Sequence, residues 1–413
     1  MNVELISIGD ELITGHTVDT NSVHIARRLA DIGLTVQYKT AVGDDLPRME
    51  EVIYQALKRA DIVIATGGLG PTDDDITKRA IVKVFKRNLV FHENILEDIR
   101  QRYAARGIDM PAINQNQALL PQGATYLANK TGSAVGIVIA EDGKIFASLP
   151  GVPREMKIMV DEELLPYLQG RIKQEAIRVI KLRTTGIIES ELAERITPHL
   201  KLPESVRFAY LPSYSGVDLR IISQGPSQEV ADDNAEKIAA KLTDVAGSYI
   251  FGRDDDTLEM VIGRLLNQRK ETLTVAESCT AGLLAGQITS VPGSSEYFER
   301  GVITYSNRSK VELLDVPEEI IERHGAVSAE TAETMALGLR DKFGSDYGIA
   351  VTGIAGPGGG TEEKPVGTVY VAVSSKNGVV SKLLQLGKDR EINRKRSIYA
   401  AMELLRRTIL EIA

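Results

Sequence analysis

Short apolar runs alternate with segments of helical periodicity along the first third of the chain, and each run ends in a cluster of glycine and polar residues. Val3 to Ile8 is one such run. Asp19, Thr20 and Asn21 then offer N-caps, and Ile25, Leu29 and Ile32 form an apolar stripe closed by Gly33. A strand is predicted from Leu34 to Val42, Pro47 opens a second helix, and Ala60 to Thr66 gives a third strand that runs into Gly67-Gly68-Leu69-Gly70-Pro71-Thr72. Strands and helices in this alternation are expected to form a doubly wound, mostly parallel α/β sheet, with ligands at the carboxyl ends of its strands.

A chain of 413 residues exceeds one ordinary core, so two or three domains are expected. A strand ends near Leu149-Pro150-Gly151-Val152-Pro153 and a helical pattern runs on through Leu168, which places the first boundary near Gly170. Residues from about Ile172 to Ser248 read as strand, helix, strand, strand, helix, strand, with Pro203, Pro212 and Pro226 at the turns. Gly252 to Thr257 reads as a polar linker and helix cap, after which a third unit begins. The expected domains are therefore 1–170, 171–251 and 252–413.

The formal net charge of −8 argues against extended contact with nucleic acid, which needs a basic face, but permits a small phosphorylated ligand. Cys279 is the one cysteine, so no internal disulfide forms, and no Cys/His set has zinc spacing. No apolar run approaches the length of a membrane span and the first residues do not read as a signal peptide, so a cytoplasmic protein is expected. Base rates favour a homodimer.

Three polar clusters fall where strands of the first domain should end: Gly9-Asp10-Glu11, the loop from Thr66 to Thr77, and Pro150-Gly151. Gly67, Gly68 and Gly70 let backbone approach a phosphate, and Asp73, Asp74 and Asp75 beside them suit a bridging divalent metal. The same acids would equally cap the helix that begins near Ile76.

In the last domain, Thr272 to Ala276 reads as a strand and Leu283 onward as a helix, which puts Ser278 on a strand-to-helix turn. A serine there is exposed at the sheet edge beside backbone N–H groups that would stabilise an oxyanion, although an ordinary N-cap has the same appearance. Histidine is an unsuitable partner, because the domain holds only His324, in the loop-like Arg323-His324-Gly325. Lys310, a few residues beyond the strand Gly301 to Thr304, becomes a base if desolvation lowers its pKa, with Tyr305 relaying or orienting the proton. The neighbouring Cys279 lacks a sequence-adjacent His or clear cation to activate it. Arg390 and Arg394 either clamp a phosphate or form a solvated basic face.

The motifs Gly9-Asp10-Glu11-Leu12-Ile13-Thr14-Gly15, Asp19-Thr20-Asn21, Gly67 to Thr72 with Asp74-Asp75-Ile76-Thr77, and Leu149 to Pro153 resemble the N-terminal domain of the CinA family. Ala276-Glu277-Ser278-Cys279-Thr280, Pro292-Gly293-Ser294-Ser295, Tyr305-Ser306-Asn307 with Lys310, and Val351-Thr352-Gly353-Ile354-Ala355-Gly356-Pro357-Gly358-Gly359 with Lys364 to Gly367 resemble its C-terminal amidase domain. The resemblance implies a MoaB/MogA-like doubly wound N-terminal domain, a small KH-like α+β middle module and an α/β amidase domain. It implies deamidation of nicotinamide mononucleotide by the last domain without a cofactor, and cleavage of ADP-ribose to AMP and ribose 5-phosphate by the first with a divalent metal (Mg, Mn or Co). The residues it marks as catalytic are Ser278, Lys310, Tyr305, Thr352 and Asp75. Substrate contacts are expected from Thr280, Gly353, Gly356, Gly358, Arg390 and Arg394, and in the first domain from Asn21, Gly67, Gly68, Gly70, Thr72, Pro150 and Gly151. Asp10, Glu11 and Asp74 are the expected metal ligands.

One departure is visible: Ala281-Gly282 stands where the family leads one to expect two glycines, and alanine suits helical angles rather than a special loop conformation. Two other functions compete, a non-catalytic pterin-binding or competence-associated accessory protein, and a chain that keeps only its N-terminal activity.

Overall fold

The structure, a computed structural model, describes residues 1–72, 75–171 and 176–412. The fold is mixed α/β and divides into two compact units after Ile177.

In the first unit β1 (Asn2–Ile8) is followed by α1 (Thr20–Asp31), β2 (Thr35–Val42), α2 (Leu46–Arg59) and β3 (Ile62–Thr66). Asp19 starts α1 by accepting the N–H of Ser22, and Asp45 starts α2 by accepting that of Arg48. The stripe read from the sequence packs inward: Ile25 and Leu29 are buried against Val3, Leu5 and Ile62, each contributing about 1.5–3 kcal/mol. Further along come α3 (Thr77–Val84), α4 (Glu93–Ala105), β4 (Thr125–Leu127), β5 (Gly136–Glu141), β6 (Lys144–Leu149) and α5 (Pro153–Met159). The six strands form one sheet in the order β2-β1-β3-β6-β5-β4. Its first four strands are parallel, and at the far edge β5 pairs antiparallel with both β6 and β4. The chain leaves β1 toward β2 on one side and returns to β3 on the other, so a crevice opens at their carboxyl ends. The helix expected through Leu168 loosens to a wide π turn over Val160–Leu164. Pro166 just beyond it has no N–H for the regular ladder.

The second unit begins with the predicted alternation. β7 (Ala176–Thr184), α6 (Glu189–Ile196), β8 (Val206–Pro212), β9 (Val217–Gly225), α7 (Gln228–Ala246) and β10 (Ile250–Arg253) build a four-stranded sheet, β8-β9-β7-β10. The stretch read as a linker is not loose. It is strand to Arg253, the N–H of Asp254 donates to the Lys181 carbonyl, and Phe251 joins the core of the last domain.

After α8 (Leu258–Arg269), β11 (Leu273–Glu277) leads through α9 (Leu283–Thr289) to β12 (Phe298–Ile303), α10 (Asn307–Leu314) and α11 (Glu318–His324). The chain continues through α12 (Ala329–Phe343), β13 (Tyr347–Gly353), β14 (Thr368–Ser375), β15 (Gly378–Gln385) and α13 (Arg390–Leu410). The sheet order is β12-β11-β13-β14-β15, with β12, β11 and β13 parallel. Three neighbouring strands therefore deliver their carboxyl ends to one edge. The central β11 and β13 are buried throughout but for Gly353, which explains their unbroken apolar reading. Among the described residues no helix is long and apolar enough to cross a membrane.

Candidate active site

Ser278 follows the last residue of β11, and its N–H donates to the Val351 carbonyl on β13 at 3.0 Å. The turn is held by Glu277, which is 1% exposed. Its carboxylate accepts the N–H groups of Gly282 and Leu284 at 3.0 Å and of Ala285 at 2.8 Å. The helix-start donors expected to serve an oxyanion are thus taken by Glu277, because a buried carboxylate so close to unpaired amides claims them first. The N–H groups of Cys279 and Thr280 at the turn itself have no oxygen partner among the described residues. Ala281 adopts φ +49, so the position does take the left-handed conformation, at a cost of about 1–2 kcal/mol for an alanine.

Lys310 lies in the first turn of α10, which Ser306 and Ser309 fix with a capping box. Its Nζ lies 3.3 Å from Ser278 Oγ and donates to the Thr304 carbonyl at 2.8 Å. The side chain is 1% exposed, and among the described residues no carboxylate is paired with it. Burial pushes its pKa below the usual lysine value, against a smaller opposing effect of Cys279. Two residues distant in sequence thus meet within hydrogen-bonding distance. The Cys279 thiol is instead pushed up to about 11 by burial, against the lowering effects of Arg394 and Arg390, which leaves it protonated near neutrality.

The remaining residues divide. Tyr305 is 59% exposed, and its hydroxyl accepts from Arg390 at 3.2 Å, with no hydrogen bond to Ser278 or Lys310. Arg390 also donates to the Gly356 carbonyl at 2.7 Å, so it clasps two loops at the mouth of the site. Arg394 donates to the Thr280 carbonyl at 2.7 Å while its buried Nε has no partner. Thr352 donates to the Ala326 carbonyl at 2.7 Å. Gly353 is part of the β13–β14 ladder, where a Cβ would lie 2.6 Å from Val369 Cγ2, so it serves packing rather than an open donor loop. Gly356 is buried, whereas Gly358 is exposed with open space around it. His324 ends α11 rather than lying in a loop, and its ring faces Glu330 at 3.2 Å.

Thr304 and the role of Glu277 escaped the sequence reading. Thr304 gives its carbonyl to Lys310, and its buried Oγ1, like that of Thr280, has no partner. Unpaired buried groups at a serine–lysine pair mark where a polar ligand completes the bonding. Their signal was a polar residue at a strand end: Glu277 closes the buried β11, and Thr304 follows β12. A cavity of about 560 Å³ between the middle module and α13 contains none of these residues.

In the first unit the three expected clusters do meet at the crevice. A Cβ on Gly67 would lie 2.2 Å from the Ile8 carbonyl oxygen, and one on Gly151 would lie 3.3 Å from Gly67 Cα. Pro150 follows β6 directly, and the Gly67 N–H donates to the Leu149 carbonyl. Gly68 accepts the N–H of Thr77 on its carbonyl. Asn21 donates to the Gly151 carbonyl at 2.7 Å and keeps a buried Oδ1 without a partner. Asp75 does not cap α3: its carboxylate packs against Gly70 and accepts the N–H and hydroxyl of Thr72. Asp10 and Asp44 accept each other's N–H. Burial raises the pKa of Asp44, and the charges of Asp10, Glu11 and Asp75 raise it further. Asp73 and Asp74 lie outside the described residues. Among the described residues no three His, Cys, Asp or Glu side chains are grouped closely enough to hold a metal ion.

Residues 255–409 match the CinA C-terminal domain, residues 4–170 the probable molybdopterin binding domain, and residues 180–252 the KH domain of damage-inducible protein CinA. Over its length the chain is similar to a putative competence-damage inducible protein of Caldicellulosiruptor bescii, 42% identical over 412 residues and covering 100% of both chains. It is also similar to a CinA-like protein of Gemmatimonas aurantiaca, 43% identical over 411 residues, which covers 98% of this chain and 96% of that one. A solved structure, competence/damage inducible protein CihA of Agrobacterium tumefaciens, is 40% identical, with 36% of this chain and 91% of that one covered at a TM-score of 0.35.

Proposed function

The chain belongs to the CinA family, and from that premise we propose that its C-terminal domain deamidates nicotinamide mononucleotide to nicotinic acid mononucleotide and ammonia. The observation that carries this reading is the buried Lys310 amine 3.3 Å from the Ser278 hydroxyl, with no carboxylate among the described residues paired with it. Neutral Lys310, oriented by the Thr304 carbonyl, accepts the serine proton as Oγ attacks the carboxamide carbon. The oxyanion is met by the N–H groups of Cys279 and Thr280. Collapse breaks the C–N bond, Lys310 returns the proton to the leaving nitrogen, and ammonia departs. Water, deprotonated by the same amine, then cleaves the acyl ester and restores the serine. The 5′-phosphate is assigned to Arg394, whose Nε is unspent, with Arg390 holding the loops around it and Tyr305 and Thr352 shaping the mouth.

For the N-terminal domain we propose cleavage of ADP-ribose to AMP and ribose 5-phosphate, supported by the close-approach glycines and the facing carboxylates at the crevice. A divalent metal (Mg, Mn or Co) belongs to this half alone, where it would neutralise the diphosphate. The described carboxylates do not assemble a ligand set by themselves.

Purified protein given each nucleotide, with and without a chelator, tests both halves. Ammonia release should be indifferent to the chelator, and ADP-ribose cleavage should stop. No ammonia from the mononucleotide under either condition rejects the first assignment, and chelator-resistant cleavage rejects the second.

A further inference from the structure

A cavity of about 220 Å³ in the first unit lies between the end of α4 and the segment that joins β4 to β5. Arg102, Arg106, Thr131, Ser133 and Glu155 are in its wall. Among the described residues both guanidiniums are anchored through one nitrogen only. Arg102 Nη1 donates to the carbonyls of Asn129 and Gly132, the latter at 2.7 Å, and Arg106 Nη2 donates to the Thr131 carbonyl at 3.2 Å. Carbonyl oxygens fix these groups in place without neutralising them. Of the acids on α4, Glu93 and Glu97 pair with Arg100, and among the described residues Asp98 forms no ion pair with either arginine; the Glu155 carboxylate shares the wall and accepts the Asn129 amide at 2.7 Å. Two positioned cations therefore keep unspent N–H donors in one small cavity beside the hydroxyls of Thr131 and Ser133.

The volume decides the class of occupant. At roughly 30 Å³ per water molecule the space holds about seven waters, below the roughly 300 Å³ at which pockets begin to enclose a whole nucleotide. A single tetrahedral oxyanion fits, and paired guanidinium forks with hydroxyl donors are the chemistry that holds one. Glu155 lies in the first turn of α5, which opens two residues after Gly151, so the cavity adjoins the loop that forms one wall of the crevice.

We infer that this cavity is a phosphate subsite, which takes one phosphate group of a phosphorylated ligand of the N-terminal domain. The inference extends the reading of that domain as a nucleotide hydrolase, but it concerns binding and is tested without turnover. Calorimetric titration of the full chain with ribose 5-phosphate, inorganic phosphate and ribose is the measurement. Arg106→Gln, at an exposed position, and Ser133→Ala are the variants, since Arg102 also holds the 129–132 segment. Ribose 5-phosphate is expected to bind and ribose not to bind, with affinity falling at least about tenfold in Arg106→Gln and severalfold in Ser133→Ala. Binding of inorganic phosphate with the same losses would make free phosphate an occupant as well and supports the subsite. Equal binding of ribose 5-phosphate by wild type and both variants overturns the inference, as does absence of binding to wild type. Because no cleavage is measured, failure of the ADP-ribose reading leaves a different signature: the subsite binds, but the nucleotide is not hydrolysed.

Discussion

Replacing Glu277 by Gln should separate positioning of the nucleophile from chemistry. The carboxylate uses Oε2 for two N–H groups and Oε1 for a third, at a site 1% exposed. A glutamine retains one oxygen and turns an NH2 toward the donor that faced the other. At about 1.5–3 kcal/mol for a hydrogen bond to a charged group, plus up to about 1 kcal/mol for the lost charge at the start of α9, the substitution costs on the order of 3 kcal/mol. For a unit of this size that corresponds to a fall of roughly 6–12 °C in the unfolding midpoint. The Ser278 turn should also relax, and displacement of a nucleophile by about 1 Å costs on the order of 100-fold in rate. Ammonia release followed at saturating nucleotide, with calorimetry on the same preparation, reads both. The expected outcome is a fall in kcat of about 10- to 100-fold with KM changed far less, because Glu277 touches backbone and not substrate. A variant with unchanged kcat and an unfolding midpoint within about 1 °C of wild type would refute the argument that this carboxylate builds the site.

Lys310→Met should lower kcat/KM on the order of 10²–10⁴-fold, the range of a lost general base, and remove the basic dependence of the reaction. In the wild type kcat/KM should rise with pH through a single ionisation below the usual lysine value, because the amine must be neutral to act and burial lowers its pKa; a rate that falls over that range contradicts the assignment. Ala281→Gly relieves about 1–2 kcal/mol of left-handed strain and adds about 0.5–1 kcal/mol of unfolded-state freedom, so denaturant titration should show a net gain between zero and about 1.5 kcal/mol. In the first unit, burial lowers the pKa of Lys78 to about 8, so the unfolded chain binds more protons above that value and stability should rise from pH 8 toward 10. Denaturant titrations across that interval should show the rise in wild type and a flatter profile in Lys78→Met.

Much of the fold was legible because buried parallel strands read as unbroken apolar runs and their helices as 3.6-residue stripes: Ile62–Thr66 and Leu273–Glu277 are strands, and Ile25 and Leu29 face the core. The pairing of Ser278 with Lys310 was legible as residue types at strand ends, but the distance between them is set by the parallel register of β11 and β12, which a sequence does not state. Local hydrogen bonding hid the rest. Asp75 looked like a helix cap or catalytic acid and is folded back on Thr72, and the helix-start amides beside Ser278 looked free and belong to Glu277. Tyr305 and Arg390 read as separate contributors, yet they bond to each other at the rim. Ala281 misled for a simpler reason: alanine says nothing of a left-handed turn imposed by the strand and helix on either side.

Ammonia release from nicotinamide mononucleotide by Ser278→Ala and by Cys279→Ser, measured side by side with wild type, decides which of two adjacent side chains attacks the amide. The hydroxyl lies beside a lysine whose pKa burial lowers, whereas the thiol is pushed up to about 11. The first variant should therefore lose activity by about 10³-fold or more while the second stays within a few-fold. Full activity in Ser278→Ala, or its loss in Cys279→Ser alone, contradicts the mechanism.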